Sequence, residues 1–95
     1  MPHKLHHGLN DASLETGIER SLFVEFVRRK WLTPALLVED VEACELDDED
    51  IARTNLILEL RRDFGVNDEA IPIILHLIDE LNAVRAKLIH MQQHS

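Results

Sequence analysis

Apolar positions along the chain fall into four blocks with different spacings. A short amphipathic stretch from Asn10 to Thr16 opens on Asn10 and Asp11, residue types that cap helices, and closes on Gly17, which readily adopts the left-handed conformation of a helix end. From Ile18 to Trp31, Leu22, Phe23, Phe26 and Val27 recur at helical spacing while Arg20, Glu25, Arg28 and Arg29 decorate other faces. Two helices joined at a Gly-centred turn form a helix-turn-helix. Thr33-Pro34 ends the second helix, because proline disfavours a helical residue before it. Between Leu36 and Leu46 the apolar residues Leu37, Val41, Ala43 and Leu46 keep no helical period, which predicts a small two-stranded β-wing.

The third block begins at Asp47, a predicted N-cap, with Asp48, Glu49 and Asp50 in the first turn, where the positive end of the helix dipole favours them. Ile51, Ile57, Leu58 and Leu60 form its apolar stripe, Arg61-Arg62 complement its negative end, and Gly65 stops it. Asn67 should cap the last helix, which would place Pro72 at about its fifth position and kink the first turn. Beyond it Ile74, Leu77, Leu81, Val84, Leu88 and Met91 step alternately by three and four, as in a coiled-coil seam, with Ile71, Ile73 and Ile78 widening the surface. A small domain cannot cover all of that seam, so its distal part is expected to meet another chain or a second copy, as a homodimer.

These elements define an all-α domain over residues 9–90, a helix-turn-helix with a small wing and a long C-terminal helix. Residues 1–8 are expected to be a flexible arm and residues 91–95 a frayed tail. Composition agrees: 45% hydrophobic residues, three glycines and no tyrosine favour helices, and 95 residues exclude large α/β enzyme folds. The single Cys44 suits a reducing compartment, and no apolar run approaches the roughly 20 residues needed to span a bilayer, so a cytoplasmic protein with no membrane contact is expected. Charge adds a new element. The chain carries 18 acids against 10 bases, and eight of the acids, Glu39, Asp40, Glu42, Glu45, Asp47, Asp48, Glu49 and Asp50, lie in one window that contains no base. That window accounts for the net charge of -8 and would repel a polyanion.

Candidate chemistry is sparse. His3, His6, His7, His90 and His94 have ligand-like spacing, but they lie near the termini without a convergent carboxylate or thiolate, so no metal and no other cofactor is expected. Cys44 has no specified base, and the neighbouring acids should suppress its thiolate. Trp31 should pack under the wing or staple the helix junction rather than stack on a base. No phosphate loop, nucleophile-His-acid order or glycosidase-like carboxylate pair is present, so an enzyme is not expected.

LNDASLETGIERSLFVEFVRRKWLTP resembles the helix-turn-helix opening of MerR-type proteins, and LDDEDIARTNLILELRRDFGVNDEAIPIIL resembles their second helix pair. Within that class, AIPIILHLIDELNAVRAKL is most similar to the CbpM family of chaperone modulators, through Leu75, Leu77, Ile78, Asp79, Glu80 and Leu81. Glu19 stands where the MerR pattern commonly has a Ser or Thr cap. The resemblance implies a regulator that binds the J-domain of a DnaJ-like co-chaperone and blocks its engagement of the chaperone ATPase. Its partner-binding residues would be the acids Asp47, Asp48, Glu49 and Asp50 together with Ile73, His76, Leu77, Asp79 and Glu80. The alternative is a DNA-binding regulator using Arg20, Arg28, Arg29 and Lys30 on the second helix. Nucleic acid is disfavoured because the wing that should follow the phosphates holds the acid run.

Overall fold

A computed structural model describes residues 6–34 and 40–93. In chain order the elements are β1 (His7–Gly8), α1 (Leu9–Thr16), α2 (Arg20–Arg28), a 3-10 turn (Val41–Ala43), β2 (Glu45–Leu46), α3 (Asp48–Arg62) and α4 (Ile71–Gln93). The fold is all-α, with a small antiparallel sheet and a long C-terminal helix.

The turn of the helix-turn-helix is fastened locally. Gly17, at φ 75°, donates its N–H to the Ser13 carbonyl. The Ser13 hydroxyl donates to the Ile18 carbonyl at 2.6 Å, and the Thr16 hydroxyl donates to Ala12 and accepts from the Ile18 N–H. These three side-chain bonds tie the last turn of α1 to the backbone of Ile18 in the turn. Gly8, rather than Asn10, caps α1, and α2 starts at Arg20 behind Glu19, whose side chain makes no capping bond. At its far end α2 closes with Lys30 in the left-handed region, φ 64°, while Lys30 N–H donates to Val27 and Trp31 N–H to Phe26. That pair of bonds is the Schellman arrangement, with a lysine where glycine would be relaxed.

Phe23, Phe26 and Val27 bring the inner face of α2 onto Leu9 and Ala12 of α1, Leu46 of β2, Ile57 and Leu58 of α3, and Ile71 and Leu75 of α4. Thr54 is also fully buried, and its hydroxyl donates to the Asp50 carbonyl at 2.8 Å, so the core keeps no unsatisfied polar group there.

Four features differ from the expectations of the sequence. The wing was expected within 36–46, of which 36–39 lie outside the described residues; β2 instead pairs with β1, in the register His7↔Leu46 and Gly8↔Glu45. Asp40 accepts from the Glu42 N–H and closes the 3-10 turn, so residues 40–43 fold on themselves rather than forming a neighbouring strand. The arm expected to be flexible through Gly8 thus contributes a strand. Asn67 accepts from the Ala70 N–H, but the helix begins only at Ile71, which puts Pro72 second in α4. A proline there removes a donor that has no intrahelical partner in any case, so it starts the helix instead of kinking it. At the other end α4 continues through Gln93, beyond the fraying expected from Met91.

Helix α4 is about 34 Å long at 1.5 Å per residue, and every described residue from Leu81 onward is exposed. The radius of gyration, 15.0 Å, exceeds the roughly 12 Å of a compact chain of this length because the helix projects. Relaxing the one left-handed lysine should help folding: Lys30→Gly is expected to raise stability by up to about 1 kcal/mol in urea denaturation, since the αL penalty of an L-residue exceeds the entropy cost of glycine.

Candidate partner-binding site

Helix α4 has two apolar faces. Ile71 and Leu75 are buried against the core, with Ile74 and Ile78 half-buried beside them. On the opposite side Ile73, Leu77, Leu81, Val84, Leu88 and Met91 form an outward stripe, each between 49 and 67% exposed. At helical rise the stripe is about 27 Å long. His76 and Glu80 flank it as an exposed pair 3.0 Å apart.

Asp79 faces the other way. Its carboxylate takes both arms of Arg53, at 2.8 and 3.0 Å, and Arg53 Nε also donates to the Trp31 carbonyl at 2.8 Å. This bidentate bond holds the Asp79 carboxyl below its ordinary pKa, and it locks α4 to α3. The acid run divides similarly. Asp47 and Asp50 form a buried capping box in which Asp47 accepts from the Asp50 N–H at 2.9 Å and Asp50 from the Asp47 N–H at 3.1 Å. Burial pushes the Asp50 carboxyl up to about 6, helped by the neighbouring Asp47 charge. Asp48 and Glu49 remain on the surface, Asp48 bound to His7. A cleft of about 710 Å³ between α3 and α4 brings Glu49, Asp50 and Asp79 together with Lys30, Trp31 and Arg53. Ile73, His76 and Leu77 lie outside its lining.

The bases considered for DNA are partly engaged. Arg20 pairs with Glu42 at 3.3 Å, and Arg29 with Glu25 at 2.8 Å and Asp68 at 3.5 Å while lying over the Trp31 ring. Arg28 and Lys30 are exposed, and among the described residues they form no ion pair. Arg61 is the group that sequence reasoning missed. It was assigned only to the helix dipole, yet it bonds Glu25 and Asp68 at 2.8 and 2.9 Å and stacks over Phe26 and Trp31. No local pattern reveals such a contact, since Glu25 lies 36 positions away. Arg53, 26 positions from Asp79, was missed for the same reason.

Trp31 is buried against Phe26, with ring centroids 5.5 Å apart. Cys44 is buried too, and desolvation pushes its thiol up, away from nucleophilic use. Of the histidines, His3 and His94 lie outside the described residues, His6 is exposed and His7 is tied to acids. Among the described residues no group of three or more His, Cys, Asp and Glu is placed to hold a metal ion, and no helix is long and apolar enough to cross a membrane.

A fastened helix-turn-helix, a paired strand and a second helical hairpin ending in a projecting helix define the MerR-like class. The chain belongs to that family: residues 8–93 match the family model described as MerR HTH family regulatory protein. No curated protein matches the chain.

The capping box makes a pH prediction. Because Asp50 titrates at about 6 when folded against 3.8 ordinarily, its contribution to stability is complete below pH 3.8 and is lost as pH rises to about 6. Asp50→Asn, which keeps an acceptor for the Asp47 N–H, should therefore gain on the native chain across that window by at most about 3 kcal/mol in chemical denaturation at stepped pH.

Proposed function

We propose that this protein is a CbpM-like modulator that binds the J-domain of a DnaJ-like co-chaperone and keeps it from the chaperone ATPase. The observation that carries the reading is the uncovered stripe of α4, a partner-sized apolar surface on a chain of net charge -8. Ile73 and Leu77 supply apolar anchors, His76 and Glu80 a polar edge, and Asp48 and Glu49 negative charge for a cationic partner surface. Asp47, Asp50 and Asp79 act from behind, by capping α3 and fixing α4 against Arg53. The engagement of Arg20 and Arg29 with the protein's own acids further supports protein rather than DNA as the partner.

The DNA-binding reading retains one specific support beside the family description, Arg28 and Lys30, which are exposed and form no ion pair among the described residues. Titrating the isotopically labelled chain with an isolated J-domain separates the two. Shifts centred on Ile73, Leu77 and Glu80 are expected, and Leu77→Asp should weaken binding by about tenfold or more with helicity unchanged, because that side chain is already exposed. No J-domain shifts, together with a salt-dependent DNA complex lost on Arg28→Ala plus Lys30→Ala, would transfer the assignment to the rival.

The same stripe fits a second copy laid antiparallel, with Leu77 opposite Leu88, Leu81 opposite Val84, and Glu80 brought near Lys87. Self-association on this face competes with the co-chaperone. Sedimentation equilibrium should detect a dimer that Leu88→Asp dissociates, and J-domain affinity should rise on dilution.

A further inference from the structure

The sheet consists of two residues on each strand, too short a ladder to hold the N-terminal strand by itself. A side chain supplements it. The largely buried ring of His7 sits with Nδ1 3.1 Å from Glu15 Oε2 in α1 and Nε2 3.0 Å from Asp48 Oδ1 at the start of α3. An ionised carboxylate only accepts. A neutral imidazole can keep at most the hydrogen bond with Asp48, whereas the imidazolium keeps that bond and also the ion pair with Glu15.

We propose that His7 is a proton-operated latch: charged, it ties β1 to α1 and α3 together, and on losing its proton it releases one carboxylate and loosens β1 from β2. The groups facing the ring are Asp11 and Glu15 from α1 and Asp48 from α3, with Glu45 of β2 opposite the adjoining Gly8, and all four are acids. The Asp48 hydrogen bond, with the charges of Glu15, Asp48 and Asp11, raises the ring's pKa above its ordinary 6.5 against the opposing effect of burial. The latch is therefore closed below pH 6.5 and opens as pH rises through the raised value. Opening also leaves the Asp48 carboxylate without a cationic partner in His7, a consequence for the acidic surface that rests on the J-domain reading, while the latch itself does not.

The test uses the full chain with no partner, so its outcome is independent of whether a J-domain binds. Nitrogen spectra of the His7 ring should show both nitrogens protonated below a midpoint that lies above 6.5, and Glu15→Gln and Asp48→Asn should each lower that midpoint. Amide exchange in β1 and β2 should accelerate about tenfold beyond the intrinsic pH effect across the same midpoint, and His7→Gln should exchange fast throughout. A midpoint at or below 6.5, or one that neither acid variant moves, overturns the latch. So does exchange in His7→Gln that follows the native chain. Should His7→Gln fail to fold, Glu15→Gln decides the matter, because Glu15 is exposed and its loss removes only one arm.

Discussion

Arg61 sits where three parts of the chain meet. Its guanidinium reaches Glu25 of α2 and Asp68 of the α3–α4 connection while lying over the rings of Phe26 and Trp31. Each contact alone is modest, but a planar group that satisfies two carboxylates and covers two aromatic faces has only one orientation available. The C-terminal end of α2 and the start of α4 are therefore referenced to the same point on α3. Arg53 repeats the device one side further along, joining the Trp31 carbonyl to Asp79. Between them the two arginines set the direction in which α4 leaves the domain, and with it the placement of the outward stripe.

That arrangement also changes the meaning of the charge count. A net charge of -8 reads as an acidic surface, yet the most concentrated acids have internal tasks: Asp47 and Asp50 cap α3, Asp40 closes a turn, and Glu42 and Asp48 hold Arg20 and His7. Capping accounts for Asp40, Asp47 and Asp50 among them. The four N–H groups at the start of a buried helix need acceptors, and short acidic side chains supply them. Negative charge available to a partner is correspondingly thinner than the sequence window implies. Apolar area on α4 takes on more of the recognition, which accords with charge setting encounter rate and specificity more than affinity.

Helix identities were legible from sequence because they depend on local chemistry. Gly17 ends α1 in the left-handed region, Asp47 caps α3, and the period of three and four marks α4. Local signals were weaker where two rules compete. Asn67 offered a cap, but a turn from Asp68 to Ala70 intervenes, and Pro72 then falls where its missing N–H is harmless. In the acidic window the lack of a helical period among Leu37, Val41, Ala43 and Leu46 indicated strands, though nothing nearby specified that the partner of β2 lies before α1.

The sequence by itself determined the number and type of helices, the helix-turn-helix, and a surplus of apolar surface on the last helix, because periodicity and capping act within a few residues of one another. Tertiary structure decided which acids remain outside, which arginines are already engaged, the strand that pairs with β2, and the face of α4 that stays open. Many of those outcomes depend on contacts between residues 22 to 41 positions apart, such as Arg53 with the Trp31 carbonyl and His7 with Asp48, and side chains brought together only by burial of the core leave no periodic trace along the chain.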